Sequence, residues 1–257
     1  MTVRSVESVA VHSVDIGARL VTDVRLDEAI ALRRCAVYRT SFRGIAVGYP
    51  AEAMRCEAIA GWMRRQGVTV DVTGVDELDW AVVAGIRPSH IVMYGFDEGS
   101  GAIALDYGVD RVIVDSAEEV AMLRASATRP QGILLDITDA CLDDPATVDR
   151  RVWLDGLHYR ADGADIAGLS EILFGMIAEM ALISRKRAAV LSRLSVGDVD
   201  LTNCDGDPRS LRRAAGTIDE VVEAACVRFR YPRPALTLSP RPATPAARGL
   251  GISGACL

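Results

Sequence analysis

The sequence has 257 residues, of which 50% are hydrophobic and 25% are charged, and its formal net charge is −6. A chain of this length can bury one large core, and α/β barrels commonly occupy this length as a single domain. The acidic balance, without any block of lysine and arginine, excludes the basic surface that a nucleic-acid-binding protein needs.

The predicted elements begin with a strand over residues 18–24 and a helix over 25–41. After them, short runs rich in β-branched residues alternate with longer segments whose apolar residues recur at helical spacing. Eight of these runs are predicted to be strands: 44–49, 68–72, 90–95, 111–115, 132–137, 154–159, 193–199 and 235–239. The longest predicted helices cover residues 166–190 and 209–228.

This alternation predicts the architecture of the chain. Nearly continuous apolar strands separated by helices indicate a parallel sheet that is covered on both faces. Eight such units predict an α/β fold of one domain, a (β/α)8 TIM-type barrel over residues 44–242, with an open doubly wound sheet as the alternative. Residues 1–43 would precede the barrel. Residues 243–257 are rich in proline and lack periodicity, so they are predicted to form a mobile tail.

The six cysteines are far apart, without a C-x-x-C pair and without a histidine at metal-binding spacing. They are Cys35, Cys56, Cys141, Cys204, Cys226 and Cys256. No apolar run approaches the roughly 20 residues that cross a bilayer, and the N-terminus has no signal-peptide core. We therefore expect reduced thiols, no metal site, no membrane partner and a cytoplasmic protein.

Polar residues stand where the predicted strands end, which in a parallel barrel is the face that carries chemistry. They are Gly48, Tyr49, Asp71, Tyr94, Asp115, Asp136, His158, Arg160, Gly197, Asp198, Asp200, Ser239 and Arg241. Asp71 and Asp115 have positions typical of helix N-caps. Alternatively, carboxylates that lie close together raise one another's pKa, and Asp136, Asp198 and Asp200 could converge with His158 on a proton-transfer or metal site.

Several motifs in the same order resemble the pyridoxal-phosphate-binding barrel of the diaminopimelate/ornithine/arginine decarboxylase family, which is related to the alanine racemase barrel. The stretch IAVGYP (45–50) resembles the end of the family's first strand, and DVTGVDEL (71–78) resembles its second-strand motif. AGIRPSHIVMYG (84–95) and ALDYGVDRVIVDSAEEV (104–120) are similar to its third and fourth units. The resemblance spans about residues 18–250 and implies the family's barrel.

The resemblance also implies a cofactor site, and two of its essential side chains are replaced. The lysine that forms the Schiff base with pyridoxal phosphate falls on Gly48. The histidine that stacks on the pyridine ring falls on Arg160, while His158 matches only a preceding position. Asp71 matches the family's own residue.

The phosphate and pyridine-nitrogen positions implied by the resemblance are changed as well. The family's glycine-rich phosphate segment falls on Gly197 and the two residues after it, which places the carboxylate of Asp198 where a phosphate would lie. The glutamate that pairs with the pyridine nitrogen falls on Ser239, and Arg241 stands at the glycine of the same motif. Four cofactor contacts are therefore substituted together.

The lysine content supports this interpretation without any alignment. Lys186 is the only lysine among 29 basic residues. Pyridoxal phosphate catalysis needs an amine to form the imine, and a guanidinium cannot replace it because it stays protonated. We therefore expect no covalently bound cofactor, and pyridoxal phosphate is implied by the resemblance alone.

These departures favour a decarboxylase-like barrel that is a non-catalytic binding or partner-regulating pseudoenzyme. One alternative is a cofactor-independent enzyme for a small anionic substrate, with Tyr94 and the catalytic candidates His158, Arg160, Asp136 and Asp198. In that case Arg160 and Arg241 would grip the anion. Another alternative is residual amino-acid decarboxylase or racemase activity. We expect a small anionic ligand or a protein partner. The resemblance implies a β-domain after the barrel and a dimer formed through both domains; we expect no such second domain here, so a homodimer stays open without that support.

Overall fold

The structure is a computed structural model that describes residues 28–96, 98–139, 151–204 and 207–241. The strand predicted at 18–24 and the tail predicted at 243–257 lie outside the described residues and stay predictions. So do Cys141 and Cys256, whereas Cys35, Cys56, Cys204 and Cys226 are free thiols.

Eight parallel strands form a closed barrel in which each strand pairs with the next along the chain. They are β1 (Ala46–Pro50), β2 (Thr69–Val72), β3 (Ile91–Tyr94), β4 (Arg111–Val114), β5 (Gln131–Asp136), β6 (Val152–Arg160), β7 (Arg193–Val199) and β8 (Ala235–Pro240). The barrel closes where Ala46 and Val47 of β1 pair with Thr237 and Leu238 of β8. The TIM-type barrel is therefore confirmed, and the doubly wound alternative is wrong.

Helices connect these strands. They are α1 (28–41 in the described part), α2 (Glu57–Gln66), α3 (Val75–Val83), α4 (Glu98–Tyr107), α5 (Ala117–Ser126), α6 (Ile166–Arg187) and α7 (Pro208–Phe229). Short 3-10 helices cover Ala51–Arg55, Pro88–His90 and Thr202–Cys204. The helix predicted over 166–190 ends three residues early because Ala188 adopts a left-handed conformation, with φ of 53°.

Side chains just before three helices explain where those helices begin. Asp165 accepts hydrogen bonds from two backbone amides at the start of α6, and Asp207 does the same for α7. For α5 the cap is Ser116, whose hydroxyl accepts from the amide of Glu119, while the Glu119 carboxylate accepts from the amide of Asp115. The prediction of Asp115 as the cap is therefore wrong by one residue.

α6 corrects one expectation from composition. Its 22 residues are long and apolar enough to cross a membrane, by length and composition alone. In the structure this helix packs against α7 and β6 as a barrel helix, and it buries Leu169, Leu173 and Ile177 among others. The sequence expectation that no segment approaches this length and composition was wrong for α6.

The barrel interior is filled by a small apolar cluster that is separate from the larger core between the strands and helices. Val92, Ile113 and Leu134 are buried together, and Tyr94 packs against them. Because side chains alternate across a strand, the polar residues two positions further along the same strands point into the same interior. This cluster therefore forms the floor beneath the carboxyl ends of the strands.

Candidate functional site

A group of polar side chains lies above this floor, at the end of the barrel where the strands terminate. We call Asp71, Tyr94, His158, Ser195 and Ser239 the mouth cluster. Strand pairing places them on the inner face, since Asp71 pairs with Val92, Tyr94 with Ile113, and His158 with Ser195. Four of these residues come from the predicted strand ends, and the fifth, Ser195, lies in the middle of β7.

Gly48 lies beside this cluster, and the place of its missing side chain is already filled. A Cβ atom at this position would be 2.5 Å from Oδ2 of Asp71 and closer still to Oγ of Ser239. Real Cβ atoms do not approach other atoms so closely. The side chains of β2 and β8 therefore occupy the space that a side chain at residue 48 would enter.

Asp71 is not the helix cap that the sequence predicts. The residue before α3 is Gly74, which makes no side-chain capping bond. Asp71 instead points into the barrel, and its buried Oδ1 atom has no hydrogen-bond partner among the residues that the structure describes. Burial raises the pKa of this carboxyl from 3.8 to about 6, against the opposing effects of the nearby Ser239 hydroxyl and the Arg111 guanidinium.

His158 is fully buried on β6 and contacts two other members of the mouth cluster. Its Nδ1 lies 3.1 Å from Oγ of Ser195, and its ring meets the ring of Tyr94 edge-on at a centroid distance of 5.2 Å. Its Nε2 is buried, and within the described part of the chain no group forms a hydrogen bond with it. Burial lowers the pKa of His158 from 6.5 to about 4, so the imidazole is neutral near pH 7.

Gly197 on β7 leaves room for the two rings. A Cβ there would lie 3.2 Å from Cε1 of His158 and 3.6 Å from the hydroxyl of Tyr94. Burial raises the pKa of Tyr94 well above 10, and the carboxylate of Asp71 adds to the shift. Tyr94 is therefore a neutral hydroxyl that can donate or accept one hydrogen bond at physiological pH.

Arg160 lies at the outer rim of the mouth and is paired with two carboxylates. Its Nε is 3.4 Å from Oδ2 of Asp136, and its Nη2 is 2.8 Å from Oδ2 of Asp139. Asp136 also accepts hydrogen bonds from the amide and hydroxyl of Thr138. Strand pairing places Asp136 opposite His158, so the structure brings three of the four catalytic candidates together.

The fourth candidate, Asp198, lies with Arg241 on another part of the rim. Oδ1 of Asp198 is 3.0 Å from Nε of Arg241, and Asp198 has the left-handed φ of 57° that suits glycine best. The backbone here is bonded to the loop after β6, since Gly163 donates to the carbonyl of Asp198 and Asp200 donates to that of Ala164. The structure thus places Asp198 with Arg241 rather than with His158.

The sequence did not reveal Ser195 or Arg111 as parts of the site. Ser195 lies inside β7 and Arg111 at the amino end of β4, away from the carboxyl ends, and only the alternation of these strands could have indicated that they face inward. Arg111 is buried lower in the barrel, where its Nη2 donates to the carbonyl of Ser89. In the described part of the chain, no three metal-ligating side chains lie close enough together to hold a metal ion.

Comparison with known proteins adds an independent line of evidence. Residues 29–143 match the family described as pyridoxal-dependent decarboxylase, pyridoxal binding domain. The chain is 29% identical over 161 residues to a diaminopimelate decarboxylase of Actinosynnema pretiosum subsp. auranticum, a stretch that covers 62% of this chain and 36% of the relative. It is 31% identical over 115 residues to the diaminopimelate decarboxylase of Mycobacterium bovis, covering 44% of this chain and 26% of the relative.

Solved structures show the same fold. The diaminopimelate decarboxylase from M. jannaschi superposes with a TM-score of 0.68 at 16% identity, covering 87% of this chain and 60% of that chain. A lysine/ornithine decarboxylase from Vibrio vulnificus, complexed with putrescine, gives a TM-score of 0.68 at 12% identity, with 83% and 61% covered. The chain therefore spans less than two thirds of each of these relatives. By its barrel fold and by the match over residues 29–143, this chain is similar to the pyridoxal-binding domain of the pyridoxal-dependent decarboxylases.

Proposed function

We propose that this chain is a decarboxylase-like barrel that does not hold pyridoxal phosphate as a Schiff base and that acts as a binding protein, a pseudoenzyme of its family. The observation that carries the proposal is the environment of Gly48. This position has no amine, and the space beside it is filled by Ser239 and Asp71. A Schiff base needs an amine at the cofactor aldehyde, and no group on the mouth cluster supplies one.

The position of Lys186 supports the proposal. This residue is exposed in the last turn of α6, close to the start of β7. Because all strands are parallel, every barrel helix returns from the carboxyl ends of the strands to their amino ends. Lys186 therefore lies at the opposite end of the barrel from the mouth cluster, and its amine cannot substitute for a side chain at residue 48.

The remaining positions implied by the family resemblance also do not fit the cofactor. Asp198 would place a carboxylate, which only accepts hydrogen bonds, where the phosphate needs donors, and the guanidinium of Arg241 is already paired with it. Ser239 is uncharged and cannot form an ion pair with a protonated pyridine nitrogen. These two substitutions weaken noncovalent binding of pyridoxal phosphate as well, so residual decarboxylase or racemase activity is disfavoured.

The ion pairs at the rim also bear on the alternative of a cofactor-independent enzyme for an anionic substrate. That hypothesis needs Arg160 and Arg241 to grip the substrate, yet Arg160 is paired with Asp136 and Asp139, and Arg241 with Asp198. An anion would have to displace these carboxylates. We therefore favour a binding protein over a cofactor-independent enzyme. We also propose that the protein is soluble and cytoplasmic.

The test is reconstitution with pyridoxal phosphate, followed by borohydride reduction and peptide mass mapping. We expect no saturable imine absorbance at micromolar cofactor and no pyridoxyl adduct on the barrel. Exposed amines react slowly with the aldehyde, so Lys186→Arg serves as the matched control that removes the background at this residue. A saturable imine band in the wild type that disappears in Lys186→Arg, together with turnover of an amino acid, would overturn the proposal.

A gain-of-function variant should form the imine with pyridoxal phosphate in the same reconstitution experiment. Gly48→Lys combined with Ser239→Gly restores an amine and removes the hydroxyl that blocks it, so we expect this double variant to form an imine that the wild type lacks. Gly48→Lys alone should form less imine, because Ser239 still occupies the space beside residue 48.

A further inference from the structure

The mouth cluster contains an unusual concentration of buried polar atoms without partners. Within the described ranges, five buried side-chain nitrogen or oxygen atoms lack a hydrogen bond, and three of them belong to this cluster. They are Oδ1 of Asp71, Nε2 of His158 and Oγ of Ser239. Most buried polar groups in folded proteins are paired, because an unpaired group loses its hydration without compensation. Three such atoms in one cluster indicate a missing partner.

The chemistry of these atoms specifies what that partner must offer. The carboxylate of Asp71 can only accept hydrogen bonds when it is ionised. Nδ1 of His158 lies 3.1 Å from Oγ of Ser195, and in the tautomer that donates from Nδ1 to this oxygen, Nε2 keeps its lone pair. The hydroxyl of Ser239 can accept or donate. In that tautomer the unpartnered atoms are mainly acceptors, and a partner that donates hydrogen bonds satisfies them.

The charges around the cluster also favour a ligand that donates hydrogen bonds. Asp136 is neutralised by Arg160 and Asp198 by Arg241, each through an ion pair at the rim. Asp71 forms no ion pair with any residue in the described ranges. Arg111 is the basic residue that acts on the pKa of Asp71; its Nη2 donates to the carbonyl of Ser89, and its Nε is buried without a partner among the described residues. A ligand entering the mouth thus meets an unpaired carboxylate and two arginines that are already engaged.

We propose that the mouth cluster binds a small organic cation that donates N–H hydrogen bonds, with Oδ1 of Asp71 and Nε2 of His158 as its acceptors. The ligand supplies the positive charge that residue 48, a glycine, does not bring to this carboxylate. The inference deepens the proposed function and rests on it, because a lysine or a covalent cofactor in the mouth would take the same acceptors.

Ser195 is a positioning residue in this arrangement. It contacts only Nδ1 of the imidazole, and in the proposed arrangement its oxygen accepts the hydrogen bond from Nδ1, which keeps Nε2 as the acceptor for the ligand. In Ser195→Ala we expect a mixed population of the two neutral tautomers. A Ser195→Thr variant, which keeps the hydroxyl, should restore the single tautomer.

The experiment is a titration of the full chain, labelled with ¹⁵N-histidine, with methylammonium chloride at pH 7. His158→Gln assigns the signal among the three histidines. We expect a saturable shift of the Nε2 signal of His158 with methylammonium. Tetramethylammonium, which has the charge but no N–H, and acetate, which has the opposite charge, should give none.

Variants then test the carboxylate. Asp71→Asn should weaken methylammonium binding at least tenfold, whereas Asp115→Asn, which changes an exposed carboxylate following β4, should leave it unchanged. A second variant, Ser239→Ala, keeps the charge and should weaken binding by a smaller factor. Circular dichroism confirms that each variant is folded.

Three results would overturn the cation site: no saturable shift, an equal response to tetramethylammonium, or unchanged affinity in Asp71→Asn. The first of these would mean that buried water alone satisfies the three atoms. The two proposals fail separately. A saturable imine with pyridoxal phosphate overturns the proposed function, whereas a missing methylammonium response overturns only the cation site.

Discussion

The rim and the interior of the barrel mouth both carry polar side chains, but those at the rim form ion pairs and those in the interior keep unpaired atoms. At the rim, Arg160 and Arg241 are roughly half-exposed, and each is paired with a carboxylate. In the interior, Asp71 and His158 each keep a buried polar atom without a partner. Water screens the rim pairs, so each contributes little to stability, whereas every polar atom in the interior acts at low dielectric. Substitutions in the interior should therefore have large effects and those at the rim small ones.

The largest effect is expected when a side chain is added in the interior. Gly48→Ala should destabilise the fold by about 2–3 kcal/mol, because its Cβ must displace both Ser239 and Asp71. Urea unfolding measures this change. Ser239→Ala in the same background should recover part of the loss.

Gly175→Ala is the matched control for that substitution. Gly175 lies on an exposed part of α6, and a Cβ there would meet nothing within 4 Å. This change should stabilise the protein by about 0.5–1 kcal/mol, since alanine favours the helix over glycine. If both substitutions had the same sign, the packing described around Gly48 would be incorrect.

The next effect concerns the buried carboxylate. The pKa of Asp71 is raised from 3.8 to about 6, so the folded state holds this proton more tightly than the unfolded state does. Ionised Asp71 therefore destabilises the folded state fully above about pH 6. This destabilisation decreases as the pH falls from about 6 to 3.8 and is absent below that range. Asp71→Asn should stabilise the unliganded protein by about 2 kcal/mol at pH 7.

Chemical denaturation at pH 7 and at pH 3.5 tests this sign. The advantage of Asp71→Asn should vanish at the lower pH, where the wild-type carboxyl is protonated in both states. Asp115→Asn should change stability by no more than about 0.5 kcal/mol at either pH, as expected for an exposed site. A destabilised Asp71→Asn at pH 7 would mean that Asp71 has a partner in the folded protein.

A smaller effect should appear in the pH dependence of the free energy of unfolding, because acidification changes the contributions of His158 and Asp71 in opposite directions. The pKa of His158 is lowered from 6.5 to about 4, so its neutral form contributes stability that is complete above pH 6.5 and is lost as the pH falls toward 4. Asp71 gains stability over nearly the same window, and the two contributions partly cancel. In Asp71→Asn, acidification from pH 6.5 to 4 should cost about 1–2 kcal/mol more than in the wild type.

The smallest effect is expected at the rim. Arg241→Gln removes the pair with Asp198 and should destabilise the protein by less than about 1 kcal/mol, because both side chains are partly exposed. Adding 0.5 M salt should reduce even this difference by screening. If Arg241→Gln lowered the free energy of unfolding as much as Gly48→Ala, substitutions at the rim would not have the smaller effects expected of them.

Much of the fold follows from local patterns in the chain. The alternation of apolar strands and amphipathic helices predicts all eight strands and the parallel barrel, and helix ends such as the one at Arg187 shift by only a few residues. The N-cap predictions for Asp71 and Asp115 failed because strand ends and caps use the same residue types. Whether such an aspartate turns toward the next helix or into the barrel depends on the face of the strand, which position along the chain does not settle.

The sequence by itself determined that this chain is a parallel α/β barrel similar to the pyridoxal-binding domain of the decarboxylases, and that glycine stands at residue 48 in a chain with one lysine. Those properties depend on composition and on neighbours along the chain. Only the tertiary structure decided that Ser239 and Asp71 fill the place beside Gly48, that Arg160 and Arg241 are engaged, and that Asp71 and His158 retain unpaired acceptors. Barrel closure brings β8 against β1, so atoms from opposite ends of the chain meet there, and no local pattern encodes that contact.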